Sequence, residues 1–143
     1  MIDLDAPILP WEGIGNIKLY ATINDFKEIV EAEKTIKFEY FKNLVRYEVP
    51  GKIYLFFNTI NGKLFKITAL EQYRGALFGN IKMGMNIEDV LEIEPSFQYD
   101  DFEEVYCSPK GIYIETDAED NTVRWISVFI KELEQDDFEE GNW

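Results

Sequence analysis

The chain has 143 residues, 46% of them hydrophobic and 15% aromatic, enough apolar material for one domain with a core and too much for a disordered chain. Its 28 acidic side chains outnumber 14 basic ones and give a formal net charge of −14, which disfavours nucleic acid and anionic membrane as partners. Histidine is absent, which excludes Ser-His-Asp and Cys-His catalysis and His-bearing zinc sites, and no stretch approaches the about 18 apolar residues of a membrane helix.

The opening residues show neither a basic region nor an apolar run of the signal-peptide kind, and Cys107 is the single cysteine, so a reducing cytoplasm is the expected location. A lone cysteine of this sort reads as a small apolar side chain. Residues 15–29, GNIKLYATINDFKEI, then open a pattern that returns 64 positions later. Thr22 stands as an N-cap with Asp25 three residues on, and Ile23, Phe26 and Val30 share one helical face. A strand is expected near 44–49 and a hairpin over 53–58 and 63–70, turning at Asn61-Gly62, a pair that tolerates positive φ. Residues 71–80 join the units.

Residues 79–93, GNIKMGMNIEDVLEI, match the first segment at eight of fifteen positions. Asn86 takes the N-cap place, Asp89 follows, Ile87, Val90 and Leu91 share a face, and Pro95 stops the helix. A strand near 103–107 and a hairpin over 112–117 and 122–130, turning at Asp120-Asn121, complete the second copy at an offset of 59. The last residues, 131–143, form an acidic tail that reads as a frayed, solvated end, or as an arm with Phe138 or Trp143 as anchor.

The expected fold is therefore α+β. Two tandem helix-plus-antiparallel-strand repeats, about 15–70 and 79–130, form one continuous sheet in a single domain, helices on one face and the other face open. Alternation places Ile53, Leu55, Phe57, Ile67, Ala69, Ile112, Ile114, Ile126 and Val128 toward the helices. It places Tyr54, Phe56, Lys66, Thr68, Tyr113, Glu115, Asp117, Trp125, Ser127 and Phe129 outward, a mixture of aromatic and charged groups typical of an interface. Loops or a dimer mate covering those aromatics are the other reading of the same pattern.

The second copy's Gly84-Met85-Asn86-Ile87-Glu88-Asp89-Val90 resembles the helix-start motif of the SmpA/OmlA outer-membrane lipoprotein family, although the first copy has Tyr20-Ala21 where Gly84-Met85 stand. Two such units in tandem, over about residues 15–130, resemble the beta-lactamase-inhibitory-protein architecture. That resemblance implies repeats sharing a sheet whose concave face grips a protein. Small acidic proteins whose units start like residues 79–85 are also similar to immunity proteins of bacterial toxin systems.

Charge divides unevenly: residues 1–85 carry 11 bases and 10 acids, residues 86–143 carry 3 bases and 18 acids. The acidic half points to a cationic protein partner, since complementary charge steers encounter. The leading expectation is a non-enzymatic, cytoplasmic immunity or antitoxin protein that occludes a basic partner, a secreted toxin or nuclease domain, without a cofactor or metal. The expected partner-binding residues are Tyr54, Phe56, Lys66, Asp100, Asp101, Glu103, Glu104, Tyr113, Glu115, Asp117, Glu119, Asp120, Trp125 and Phe129. A module that homodimerises through the open face is the second reading, and a carboxylate-based enzyme or ligand carrier the third. The stretch 117–121, DAEDN, lacks the glycine and distal Glu of an EF-hand loop, and no glycine-rich phosphate loop is present.

Overall fold

A computed structural model describes residues 2–40 and 42–143. The molecule is mostly β and holds two antiparallel sheets. A small N-terminal sheet is made of β1 (Ile8–Leu9), β2 (Gly13–Ile14) and β3 (Ile17–Lys18). The large sheet has eight strands: β4 (Ile36–Tyr40), β5 (Leu44–Val49), β6 (Ile53–Asn58), β7 (Leu64–Ala69), β8 (Gln98–Asp100), β9 (Val105–Ser108), β10 (Ile112–Thr116) and β11 (Val123–Phe129). Their order is β4-β5-β6-β7-β11-β10-β9-β8, antiparallel at every step. Helix is minor: α1 (Lys27–Val30) extends a 3-10 turn at Ile23–Phe26, and α2 spans Ile87–Ile93.

The expected α+β class is corrected by these elements. The helices are one and two turns long, and a second sheet exists. The start of the first repeated segment belongs to that small sheet, whereas the start of the second makes only a bridge between Leu77 and Ile81. The chain is not a pair of tandem helix-plus-strand repeats in one continuous sheet. The physical reason lies in residues 8–18, whose Ile8, Ile14 and Ile17 bury in the common core as a separate sheet of two-residue strands, and in helical segments of only four and seven residues.

The shared sequence nonetheless sets shared local bonds. The amide of Ile23 donates to the Gly62 carbonyl at 2.8 Å, and that of Ile87 to Asn121 at 2.9 Å. Leu64 donates to Ala21 at 2.8 Å, and Val123 to Met85 at 2.7 Å. Both hairpins carry one extra residue: Phe56 pairs with Lys66 and Phe57 with Leu64, leaving Phe65, while Glu115 pairs with Trp125 and Thr116 with Val123, leaving Arg124. Bulges of this kind turn a side chain and increase local twist. Tyr20 adopts φ of 71°, left-handed, at the place where the second segment has Gly84 at 85°. Tyrosine holds that costly conformation because its hydroxyl donates to the Glu132 carboxylate at 2.5 Å and its ring packs edge-on against Trp143.

The core lies against the inner face of the large sheet. The row Tyr47, Leu55, Ile67, Val128 and Ile112 is continuous in register and fully or nearly buried. Phe26, Ile87, Val90, Phe97 and the small sheet's Ile8, Ile14 and Ile17 belong to the same cluster. The tail corrects the expectation of a frayed end. Phe138 is 4% exposed, packs edge-on against Phe65 at 4.9 Å and stacks with Trp143 at 5.3 Å. Polar groups of the β6–β7 turn hold its backbone: Asn58 donates to the Glu139 carbonyl at 3.1 Å and Lys63 to the Trp143 carbonyl oxygen at 2.9 Å.

Candidate functional site

The outer face of the large sheet is built from two cross-strand rows. One runs unbroken across all eight strands: Ile36, Glu48, Tyr54, Thr68, Ser127, Tyr113, Cys107, Gln98. The other holds Phe38, Arg46, Phe56, Lys66 and Phe129. Each residue points outward because it stands an even number of positions from its neighbour on the same strand. Glu115 and Trp125 form the next outward pair on the β10–β11 side.

Aromatic and cationic groups interlock here. The Arg46 guanidinium lies 4.3 Å from the Phe38 and Tyr54 ring centres, with the Glu48 carboxylate 3.9 Å away, and its Nε is buried without a hydrogen-bond partner. Tyr54 packs edge-on against Phe56 at 6.0 Å and Trp125 at 5.9 Å. The Trp125 indole donates to Glu71 at 3.0 Å. Lys66 reaches across Phe56 at 4.9 Å toward Tyr113 at 5.8 Å, and its ammonium makes no hydrogen bond or ion pair among the described residues. Burial lowers the Lys66 pKa against the opposing pull of Glu115 and Glu103, and burial raises that of Glu115 against Lys66 and Arg124. Tyr113 is pushed up to about 12 by burial and the nearby acids.

Three of the outward residues are not available to a partner. Thr68 and Ser127 are each 3% exposed and bond to each other, hydroxyl to hydroxyl, at 2.8 Å. Phe129 is 5% exposed, stacked against Tyr113 at 4.4 Å and covered by Trp11 at 5.5 Å. Trp11 also lies over Gly111, where an added Cβ would meet its ring at 2.6 Å. Beyond Tyr113 the face opens into a groove of about 800 Å³ whose lining includes Trp11, Asp100, Cys107, Tyr113, Lys131 and Glu134. The Cys107 thiol there is raised by burial and by Asp100, Glu134 and Glu103, so it stays protonated.

The expected acidic residues other than Glu115 fall in two turns. Asp100 accepts from the amides of Phe102 and Glu103 at 2.9 and 3.1 Å, so it shapes its own turn, and Asp101, Glu103 and Glu104 stand exposed around it. Asp117 accepts from the Glu119 amide at 2.8 Å and Asp120 from the Thr122 hydroxyl at 2.7 Å, so both build the β10–β11 turn. Glu119 and Asp120 lie near the start of α2, away from the outer rows, because Asn86 bridges to Thr122. The geometry thus gathers Tyr54, Phe56, Lys66, Tyr113, Glu115 and Trp125 and sets the 100–104 turn at their edge.

Sequence reading missed two parts of this surface. Phe102, at the tip of the β8–β9 turn, is 91% exposed. The signal for it was the run Asp-Asp-Phe-Glu-Glu, one aromatic ring inside four acids. Arg46 was missed because a strand arginine carries no mark of the rings it will meet.

No family model and no curated protein matches the chain. Among solved structures, a cysteine-rich secretory protein from Staphylococcus aureus subsp. aureus Mu50 is similar, with a TM-score of 0.57 at 14% identity over 91% of this chain and 50% of that one. The chain spans about half the length of that protein. At this identity the likeness is one of fold alone.

Proposed function

We propose that this chain is a binding protein that occludes a partner bearing a cationic surface, using the outer face of the large sheet and the acidic β8–β9 turn. The observation that carries the reading is Phe102. A ring left 91% in water costs solubility and contributes nothing to the core, and here it is flanked along the chain by Asp100, Asp101, Glu103 and Glu104. A buried aromatic anchor inside a ring of charges is how protein interfaces concentrate binding energy, with the charges speeding encounter. Tyr54, Phe56, Tyr113 and Trp125 extend the apolar contact inward from that edge. In its most specific form the reading is a cytoplasmic immunity protein covering a basic toxin, in keeping with the resemblances of its repeated segments. The open-face homodimer draws less support, because Trp11, Phe138 and Trp143 of the chain itself already cover parts of that surface.

The test is association with a purified basic domain encoded beside this gene, followed by stopped-flow at low and high salt. Replacing Asp100, Asp101, Glu103 and Glu104 by Lys together should slow association about tenfold or more at low salt and remove most of its salt dependence. Phe102→Ala should leave the association rate near that of the parent and speed dissociation, as loss of a desolvated anchor does. Absence of binding, or kinetics indifferent to both changes, refutes the reading.

A further inference from the structure

We propose that β4 is the seam of a two-fold dimer, in which the edge strands of two copies pair antiparallel about Phe38. β4 pairs with β5 on one side and ends the sheet on the other. All five of its residues are exposed, and Ile36, Phe38 and Tyr40 are 43%, 39% and 48% exposed. Edge strands usually carry a protecting device: brevity, proline, a bulge, or charge pointed at the approach path. β4 has no proline and pairs with β5 in regular register along its whole length, and its two charges, Lys37 and Glu39, are of opposite sign, so they repel a strand of one charge and not a second copy of themselves. The opposite edge is protected. β8 has three residues, ends at Asp100 and runs into Asp101, so like charges would meet if two copies approached there.

The sequence of β4, Ile-Lys-Phe-Glu-Tyr, identifies a second copy as the occupant. Antiparallel pairing centred on Phe38 sets Lys37 opposite Glu39 of the partner copy, and Glu39 opposite its Lys37. It sets Ile36 opposite Tyr40 on the other face, and Phe38 opposite itself. Charge and apolar surface are therefore both self-complementary in one register. Within one chain the Lys37 ammonium already lies 3.1 Å from the Glu39 carboxylate, both groups well exposed. That exposed pair costs little to exchange for two intermolecular ones. Directly opposed cross-strand partners of opposite charge stabilise a ladder, and like charges there weaken it. One register also excludes neighbours: a shift by one residue would turn the apolar row of each copy to the opposite face.

This dimer does not rest on the occluding function: it uses the free edge of β4, away from Tyr54, Phe56, Tyr113, Trp125 and the β8–β9 turn. Sedimentation equilibrium over a wide concentration range tests it. The parent chain should dimerise reversibly. Glu39→Lys places Lys37 and the new lysine opposite one another twice across the two-fold and should weaken dimerisation about tenfold or more. The swapped pair Lys37→Glu with Glu39→Lys restores opposite charges in the same register and should restore the dimer. Circular dichroism checks that each monomer keeps the parent fold, which exposed side chains permit. A chain monomeric throughout, a dimer that persists in Glu39→Lys, or failure of the swapped pair to recover it overturns the proposal.

Discussion

The seam between β7 and β11 holds the two halves of the large sheet together, and its outward side carries one buried polar pair, Thr68 and Ser127. Thr68→Val keeps shape and β-branching while deleting the hydroxyl. The hydrogen bond lost has a net worth of about 0.5–1.5 kcal/mol, but Ser127 would then be left buried without a partner, which costs about 1–3 kcal/mol. A fall of about 2 kcal/mol is expected, or about 6–8 °C in Tm for a chain of this size. Ser127→Ala orphans Thr68 in the same way and should cost a similar amount. The double variant removes both hydroxyls together and leaves no orphan, so it should be less destabilised than the sum of the singles by about 1–2 kcal/mol. Urea unfolding of the four proteins measures the coupling. Additive losses would show that the two hydroxyls find other partners, and that the seam rests on its backbone ladder and inner row alone.

Lys66→Met should raise stability at neutral pH, because an unpaired ammonium in a partly buried site is replaced by an apolar chain of similar length. Burial holds the folded Lys66 pKa below its usual value of 10.5, so the destabilising effect of the charge is fully present below the shifted pKa and disappears as pH rises toward 10.5. The stability difference between Lys66→Met and the parent should accordingly shrink between neutral and alkaline pH, read from urea midpoints at each pH; a constant difference refutes the burial argument. Phe138→Ala should cost about 3–5 kcal/mol of local packing and release the tail rather than the whole fold, shown by proteolysis within residues 131–143 and a red shift of tryptophan emission as Trp143 loses its stack. Resistance of the tail to protease in that variant would show that Asn58, Asn61 and Lys63 suffice to hold it.

The large sheet's inner strands were legible because their period was clear. Ile53–Asn58 and Leu64–Ala69 form where alternation and the Asn61-Gly62 turn place them, Leu44–Val49 forms near its expected place although no register was legible for it, and all nine residues assigned to the inner face are buried. The edges were not legible. β4 is exposed along its length, so no buried period marks it, and β8 is too short to show one. The small sheet was missed because strands of two residues carry no alternation at all. The tail misled for a different reason: its six acids read as solvated, and four of them are, but Glu132 accepts from Tyr20, and Phe138 and Trp143 meet Phe65, which a β-bulge turns outward, and no local pattern announces a bulge. At the candidate site, side-chain type and outward direction were readable. Which outward groups the chain itself would cover was not, since Trp11 reaches Phe129 from over a hundred positions away in sequence.

The distribution of charge along the sheet bears on both proposals. The β4–β7 side mixes Lys37, Lys42, Arg46, Lys63 and Lys66 with Glu39, Glu48 and the docked acidic tail, whereas the β8–β11 side carries the acidic turns at 100–104 and 117–120. Strands about 4.8 Å apart put these opposite edges about 34 Å from each other along the sheet, several times the screening length of about 8 Å at physiological ionic strength. A chain of net charge −14 resists self-association most through its acidic edge, and less at β4 itself, where Lys37 and Glu39 balance. Joined at β4, two copies place their Phe102 turns at the far ends of a combined sheet, each clear of the other's field. On the two proposals taken together, the asymmetry that would steer a cationic partner to one end would also leave the other end as the place where two like copies meet.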